Sequence, residues 1–170
     1  MGLFTSTNLE SFEDLFLVEI QDLYDAEHQL TQALPKMADA AGSVELRSAF
    51  QTHLVETKGH INRLEQVFRE FGQEPKRKTC LAMKGLIAEG DELIKSHGKE
   101  DVRDAGLIMA AQRVEHYEMA GYGAARSHAQ KLGLSHSAQL LQETLDEEGN
   151  ADKILTQIAE ESVNPAAQQA

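Results

Sequence analysis

The chain has 170 residues, with three prolines, no tryptophan and a formal net charge of −12. That length supports one domain with a sizeable core, and the acidic balance makes nucleic acid and anionic membrane surfaces poor partners. A single cysteine, Cys80, excludes an internal disulfide and any paired-cysteine metal or redox motif.

The first residues, MGLFTSTNLESF, show no basic start followed by an apolar run. A cytoplasmic location is therefore expected, and Gly2 gives only a short match to a myristoylation signal. Ser11 before FEDLF reads as a helix N-cap with acids in the first turn. Apolar residues then recur at Phe12, Phe16, Ile20, Leu23, Leu30, Leu34 and Met37, which predicts a helix to about Ala41 with a bend at Pro35. Gly42 and Ser43 read as its stop and the next start. A second helix follows to about Phe71, with Leu46, Phe50, Leu54, Thr57, Ile61, Leu64 and Phe68 as its stripe. GQEPKRK (72–78) breaks the pattern. A shorter helix is expected over about Thr79–His97, ended by Gly98. A third long helix is expected over about Asp101–Lys131, then a turn, LGLS, with Ser135 as N-cap. The fourth long helix runs to about Glu161, and the rest, including NPAAQQA, reads as a frayed tail. No segment approaches the ~20 apolar residues that span a bilayer.

The apolar residues are Leu, Ala, Ile and Met more than Val, which favours an all-α protein. Two long hairpins joined by a connection that holds its own helix form the pattern of a four-helix bundle with one long crossover, the ferritin-like topology. The crossover helix carries an apolar face at Leu81, Leu86, Leu93 and Ile94. That face is expected to serve a homodimer.

Acids interrupt the buried seams. Ile20, Glu27, Leu34 and Ala41 share one row, as do Ile108, Glu115 and Tyr122; Ala111, Glu118 and Ala125; Leu141, Glu148 and Leu155; and Leu145, Asp152 and Ala159. Glu56 borders the second helix's stripe between His53 and His60. Glu27 and Glu56 stand equally far from the first turn, and Glu115 and Glu148 equally far from the second. In each case the separation is roughly 21–25 Å of helix. A crossover puts the two turns at opposite ends, so both pairs meet near mid-height.

Like charges so placed raise one another's pKa or force the bundle apart. No lysine lies on these seams. Two bridged divalent cations resolve the conflict. Glu27, Glu56, Glu115, Glu118, Glu148 and Asp152 are the expected ligands. His60, four residues after Glu56, joins them as a candidate, and His53 is nearly as well placed. Glu118 with Glu56 or Glu148 would bridge. A carboxylate-rich set suits iron best, with manganese as alternative. His28 and His116 project about 100° away from the neighbouring ligand candidates and read as supporting or interface residues. Tyr24, Tyr117 and Tyr122 read as core filling with hydroxyls free to reach carboxylates. Cys80 reads as inert.

DLYDAEHQLTQALPKM, AFQTHLVETKGHINRLEQVF, DVRDAGLIMAAQRVEHYEMAGYG and LLQETLDEEGNADKILTQIA together resemble the YciF-like bacterial stress proteins of the ferritin-like superfamily. The resemblance spans about residues 10–160. It implies a ferritin-like bundle, commonly dimeric, and an association with stress. The acids also look like those of rubrerythrin, whose Glu-x-x-Glu matches Glu115 and Glu118. Glu27 and Glu56 match its single glutamates, and Glu148 with Asp152 matches a Glu-x-x-x-His pair in which aspartate replaces histidine. Gly59 stands where that pattern has a histidine, and no rubredoxin-like cysteine segment is present. Both departures count against rapid peroxidase turnover. The expected function is a stress-associated di-iron carboxylate protein that reacts with peroxide or oxygen. The alternative is a non-enzymatic structural or iron-binding protein.

Overall fold

Ser11 opens the first helix through a reciprocal cap. Its hydroxyl accepts the Asp14 N–H at 3.1 Å, and the Asp14 carboxylate accepts the Ser11 N–H at 3.0 Å. Together they satisfy N–H groups that have no partner inside the helix. The computed structural model describes residues 9–170, so the export and Gly2 readings lie outside the described residues. From this cap, α1 runs Phe12–Ala40. Pro35 lies inside it and does not end it.

At the first turn the Ser43 hydroxyl accepts the Leu46 N–H at 3.2 Å and starts α2, Val44–Glu70. The buried Asp104 carboxylate accepts both turn amides, Gly42 at 3.0 Å and Ser43 at 2.7 Å. This ties the turn to the neighbouring hairpin. On the crossover, Cys80 caps α3, Leu81–Ile94, which is shorter at both ends than the pattern predicts. Then come α4, Glu100–Lys131, and α5, Ser135–Ile158. The turn between them uses Gly133 at a φ of 76°, where a side chain would be strained. Ser135 begins α5 rather than capping it. The cap position is Leu134, with no side-chain hydrogen bond.

The tail differs from expectation. A single π turn, Ala159–Val163, leads into α6, Asn164–Gln169. Val163 is buried in the core and anchors the segment, and α6 packs on α4. Pro165 sits in the first turn of α6, where its missing N–H costs nothing.

The four long helices close a ring in which α1 packs on α2 and α4, and α5 packs on α2 and α4. The crossover helix α3 lies on α1 and α4 of its own chain. Leu86, Ile87, Leu93 and Ile94 are partly buried and pack against the core of their own chain, and Leu81 is left exposed. The protein is an all-α helical bundle, and no described helix is long and apolar enough to cross a membrane.

Two apolar clusters divide the interior. One contains Leu30, Leu34, Leu46, Phe50, Leu107 and Leu155. The other contains Phe16, Ile20, Leu64, Phe68, Tyr122 and Leu141. Glu27 on α1, His53 and His60 on α2, Glu115 and Glu118 on α4 and Glu148 on α5 fall between these two sets, so a buried polar layer crosses the bundle. Close helix approach supports it from one side. A Cβ on Gly121 would meet the Leu23 side chain at 2.8 Å, so a larger residue here would make Leu23 shift where α4 packs on α1.

Candidate metal centre

Each long helix delivers its side chains to the layer from its inward stripe. In α2 the buried row runs through His53, Thr57 and His60. In α5 it runs through Thr144, Glu148 and Ala151. Glu27 comes from α1, and Glu115 and Glu118 from α4. The acids on α4's inner face leave that helix with almost no apolar-to-polar asymmetry.

The side chains converge in two sets. Ligand atoms of His53, Glu115, Glu118 and Glu148 all lie within 4.8 Å of one another, and so do those of Glu27, His60 and Glu148. Glu148 belongs to both. All six residues are buried. Glu118 is 0 % exposed, and among the described residues neither of its carboxylate oxygens has a hydrogen-bond partner. Glu148 likewise has two unpartnered oxygens, and Glu27 Oε2, Glu115 Oε2, His53 Nε2 and His60 Nδ1 have none either. Nδ1 of His60 is 3.0 Å from Glu148 and 3.3 Å from Glu27, without the alignment of a hydrogen bond. Such atoms aim at a common point rather than at each other.

The electrostatics agree. Burial, with Glu27, Glu148 and Glu115 beside it, raises the Glu118 pKa well above its ordinary value. Burial raises Glu115 strongly, with His53 opposing and Glu148 adding to it. Burial also raises Glu27, against the pull of His60. Burial opposes charge on the two histidines, but the carboxylates outweigh it. Glu115, Glu56 and Glu148 bring His53 to about 9, and Glu148 with Glu27 brings His60 to about 11. Burial would raise Glu148 too, yet the two histidines around it hold its pKa below the ordinary value. Without a cation, the layer has to retain protons to exist at all. Two cations could take their place.

Each histidine is held from behind by a further carboxylate. His60 Nε2 lies 2.8 Å from Glu147 Oε2, and Arg63 grips Glu147 through two hydrogen bonds of 2.6 and 2.7 Å. With Nε2–H donating outward, Nδ1 faces the acids. His53 Nδ1 contacts Glu56 Oε2 at 3.3 Å, which turns Nε2 toward Glu115 at 3.5 Å and Glu148 at 3.7 Å. Carboxylates behind imidazoles are the usual outer support of metal-binding histidines. The Tyr122 hydroxyl donates to Glu27 Oε1.

Of the residues expected from the sequence, Glu27, His60, Glu115, Glu118 and Glu148 are brought together. Glu56 and Asp152 are not. The Glu56 side chain is 31 % exposed and touches His53 instead. Asp152 accepts from Gln112 at 3.1 Å and lies 3.4 Å from His116. Both miss by one position: the buried rows pass through Thr57 and Ala151, and a step of one residue turns a side chain about 100°. His53 enters the group, and its seven-residue spacing from His60 is the signal for it. Glu147 is a functional candidate that the pattern hides, since it adjoins Glu148 and meets Arg63 only in space. Tyr117 and Tyr24 reach Asp22 and Glu65 rather than the layer. Cys80 is buried, and burial pushes its thiol up to about 11, in keeping with an inert role.

The family model described as "Domain of unknown function (DUF892)" matches residues 11–168. Protein YciF of Escherichia coli (strain K12) is 48% identical over 162 residues, 95% of this chain and 98% of that protein. The crystal structure of the E. coli stress protein YciF aligns with a TM-score of 0.89 at 47% identity, covering 92% of this chain and 99% of the other. YcfI of Rhodopseudomonas palustris, called a candidate structural protein, aligns with a TM-score of 0.86 at 40% identity over 90% of this chain and 98% of its own. The chain belongs to the DUF892, YciF-like family.

Proposed function

We propose that this chain is a stress-associated dimetal carboxylate protein whose centre lies in the polar layer. One ion would be held by His53, Glu115, Glu118 and Glu148, and the other by Glu27, His60 and Glu148, with Glu148 bridging. Glu56 and Glu147 would orient the two histidines. Asp152, tied to Gln112 and His116, would lie outside the centre. The observation that carries this reading is Glu118, fully buried with both oxygens unpartnered among the described residues, beside Glu115 of its own helix, Glu148 of α5, Glu27 of α1 and His53 of α2.

The donor set, carboxylates with two imidazoles, suits iron, with manganese as the alternative. Such a pair supplies electrons and Lewis acidity toward peroxide or oxygen when bound. This chain's own residues would hold the ions inside the bundle, fix the imidazole tautomers, and accept or release protons at Glu115 and Glu118. The stress role draws on the relatedness to a protein called a stress protein. A ferritin-like lineage, a cytoplasmic location and a homodimer complete the proposal. The dimer now rests on exposed Leu81 rather than on Leu86.

The test is metal content. Fe(II) loaded anaerobically should reach two ions per chain in the wild type and fall sharply in Glu118→Ala. A folded wild type that takes up none refutes the centre. A second reading is favoured by the YcfI relative, called a candidate structural protein. In that reading the ions only brace the bundle, and the metal-loaded chain would turn over no peroxide.

A further inference from the structure

The crossover segment that leads from α2 to α3 is fixed along α1 before it reaches Cys80. The Lys78 N–H donates to the Gln21 carbonyl at 3.2 Å, the Cys80 N–H donates to the buried Asp25 carboxylate at 2.8 Å, and Gln29 Nε2 donates to the Cys80 carbonyl at 3.1 Å. Arg77 lies inside this stretch. Its Nε donates to the other Asp25 oxygen at 2.8 Å, and among the described residues its two terminal nitrogens form no hydrogen bond. Arg63 shows the contrast, since Glu147 fills both of its terminal nitrogens. A guanidinium held by Nε alone keeps the edge that fits a two-oxygen anion. Arg77 lines a hollow of about 410 Å3 together with Lys36, His28 and Gln32, and Ala33 and Ile87 form its apolar part. The chain has 28 acids against 16 lysines and arginines, and four other hollows each carry an acid: Glu115, Asp91, Glu143 and Glu89 respectively. Among the described residues the wall of this one holds two cations and no acid.

We propose that this hollow binds a small organic phosphate monoester. Arg77 takes two phosphate oxygens through its terminal nitrogens, and Lys36 supplies the second positive charge. Asp25 holds the guanidinium in place from behind, so less freedom is lost when the anion arrives. Asp25 also offsets part of the Arg77 charge, which is why the second cation is needed. A dianionic phosphate draws on both cations, whereas a single carboxylate carries half the charge to meet them. The volume falls within the roughly 300–1,000 Å3 typical of small-molecule sites. It exceeds what inorganic phosphate fills, and Ala33 and Ile87 give a few-carbon body an apolar surface to lie on. A nucleic acid is a poor occupant, because two cations in a chain of net charge −12 cannot track a run of phosphates.

The hollow shares no residue with the polar layer, so the proposal stands whether or not that layer takes metal. The experiment titrates the full metal-free chain with β-glycerophosphate at fixed ionic strength, followed by phosphorus NMR. Binding should be saturable, and lactate should displace the phosphate ester only at about tenfold higher concentration or more. Lys36→Ala removes an exposed side chain from α1 and should weaken binding by about tenfold or more at wild-type helix content. Arg77→Lys keeps the charge but loses the two-pronged edge, and should weaken binding by a similar factor. If Arg77→Lys does not fold, Lys36→Ala decides the matter. Lys153→Ala removes an exposed charge from α5, outside the hollow, and should leave binding within about twofold of the wild type. No saturable binding, equal affinity for lactate, or full binding by Lys36→Ala overturns the proposal. So does an equal loss in Lys153→Ala, since the attraction is then general rather than local to Arg77 and Lys36.

Discussion

At His60 the polar layer is closed on its outer side. Glu147 meets the imidazole at 2.8 Å and is itself clamped by Arg63. At His53 the same arrangement is looser. Glu56 makes one 3.3 Å contact, is 31 % exposed, and among the described residues no arginine is paired with it. Beside it the layer opens into an apolar groove between α2 and α5. The two halves share α2, seven residues of spacing and Glu148, yet only the His53 half borders the groove. Structural metal sites are closed, and reactive ones keep an open position. On the proposed dimetal reading, retention falls to the Glu27–His60 half and access to the His53–Glu115 half.

Removing the shared ligand should erase the difference. Glu148→Gln is expected to lower metal content from two ions toward none, whereas His53→Ala should empty only the open half and leave about one. Metal analysis of the purified variants checks this. Equal losses from His53→Ala and His60→Ala, both complete, would mean that the halves are not separable.

The metal-free protein should lose stability as pH rises. The folded pKa values of Glu27, Glu115 and Glu118 lie above their ordinary 4.5, so their cost is absent below that value and grows above it. His53 and His60 are raised from 6.5 to about 9 and 11. The stability they contribute as cations is complete below about 6.5 and is lost as pH climbs through those folded values. Both groups act in one direction. Glu148 is shifted down, and its contribution is already complete above about pH 5, so it offsets nothing over this span. The melting temperature of the metal-free chain should fall between about pH 5.5 and 9, and metal should flatten the curve. A flat metal-free curve would mean that these acids are not close together.

A finer contrast lies behind the histidines. Glu147→Ala should weaken binding of the ion at His60 by about 10–100-fold, as loss of outer support usually does. Glu56→Ala should cost less at His53, because the bond it removes is longer and wetter. Competitive chelator titrations measure both, and a larger effect at Glu56 would reverse the comparison. Asp152→Asn should change least of all, with metal content unaltered and stability within about 0.5 kcal/mol.

The order of the helices and most of the layer were legible because heptad rows report phase and distance from a turn reports height. Glu27, Glu115, Glu118 and Glu148 satisfy both rules at once. Glu56 satisfies the height rule but sits one residue off the buried row, which a border position in a heptad does not resolve; Asp152 is also one residue off the row and lies about one helical turn farther from the α4–α5 turn than Glu148. His53 was readable from its spacing to His60. Glu147 was not, because its role depends on Arg63, 84 positions away. The groove was equally hidden, since small side chains such as Ala49 and Ala151 mark a space only once two helices face each other. The tail was misjudged because one π turn shifts the helical phase and lets Val163 turn inward.

The central claim is that the layer holds two ions bridged by Glu148. Crystals of the chain grown with Fe(II) under anaerobic conditions, measured across the iron absorption edge, test it most directly. Two anomalous peaks about 3.5–4 Å apart are expected, one beside His53 and Glu115, the other beside His60 and Glu27, with Glu148 between them. Density in which the six side chains keep their places and no anomalous peak lies among them would contradict it.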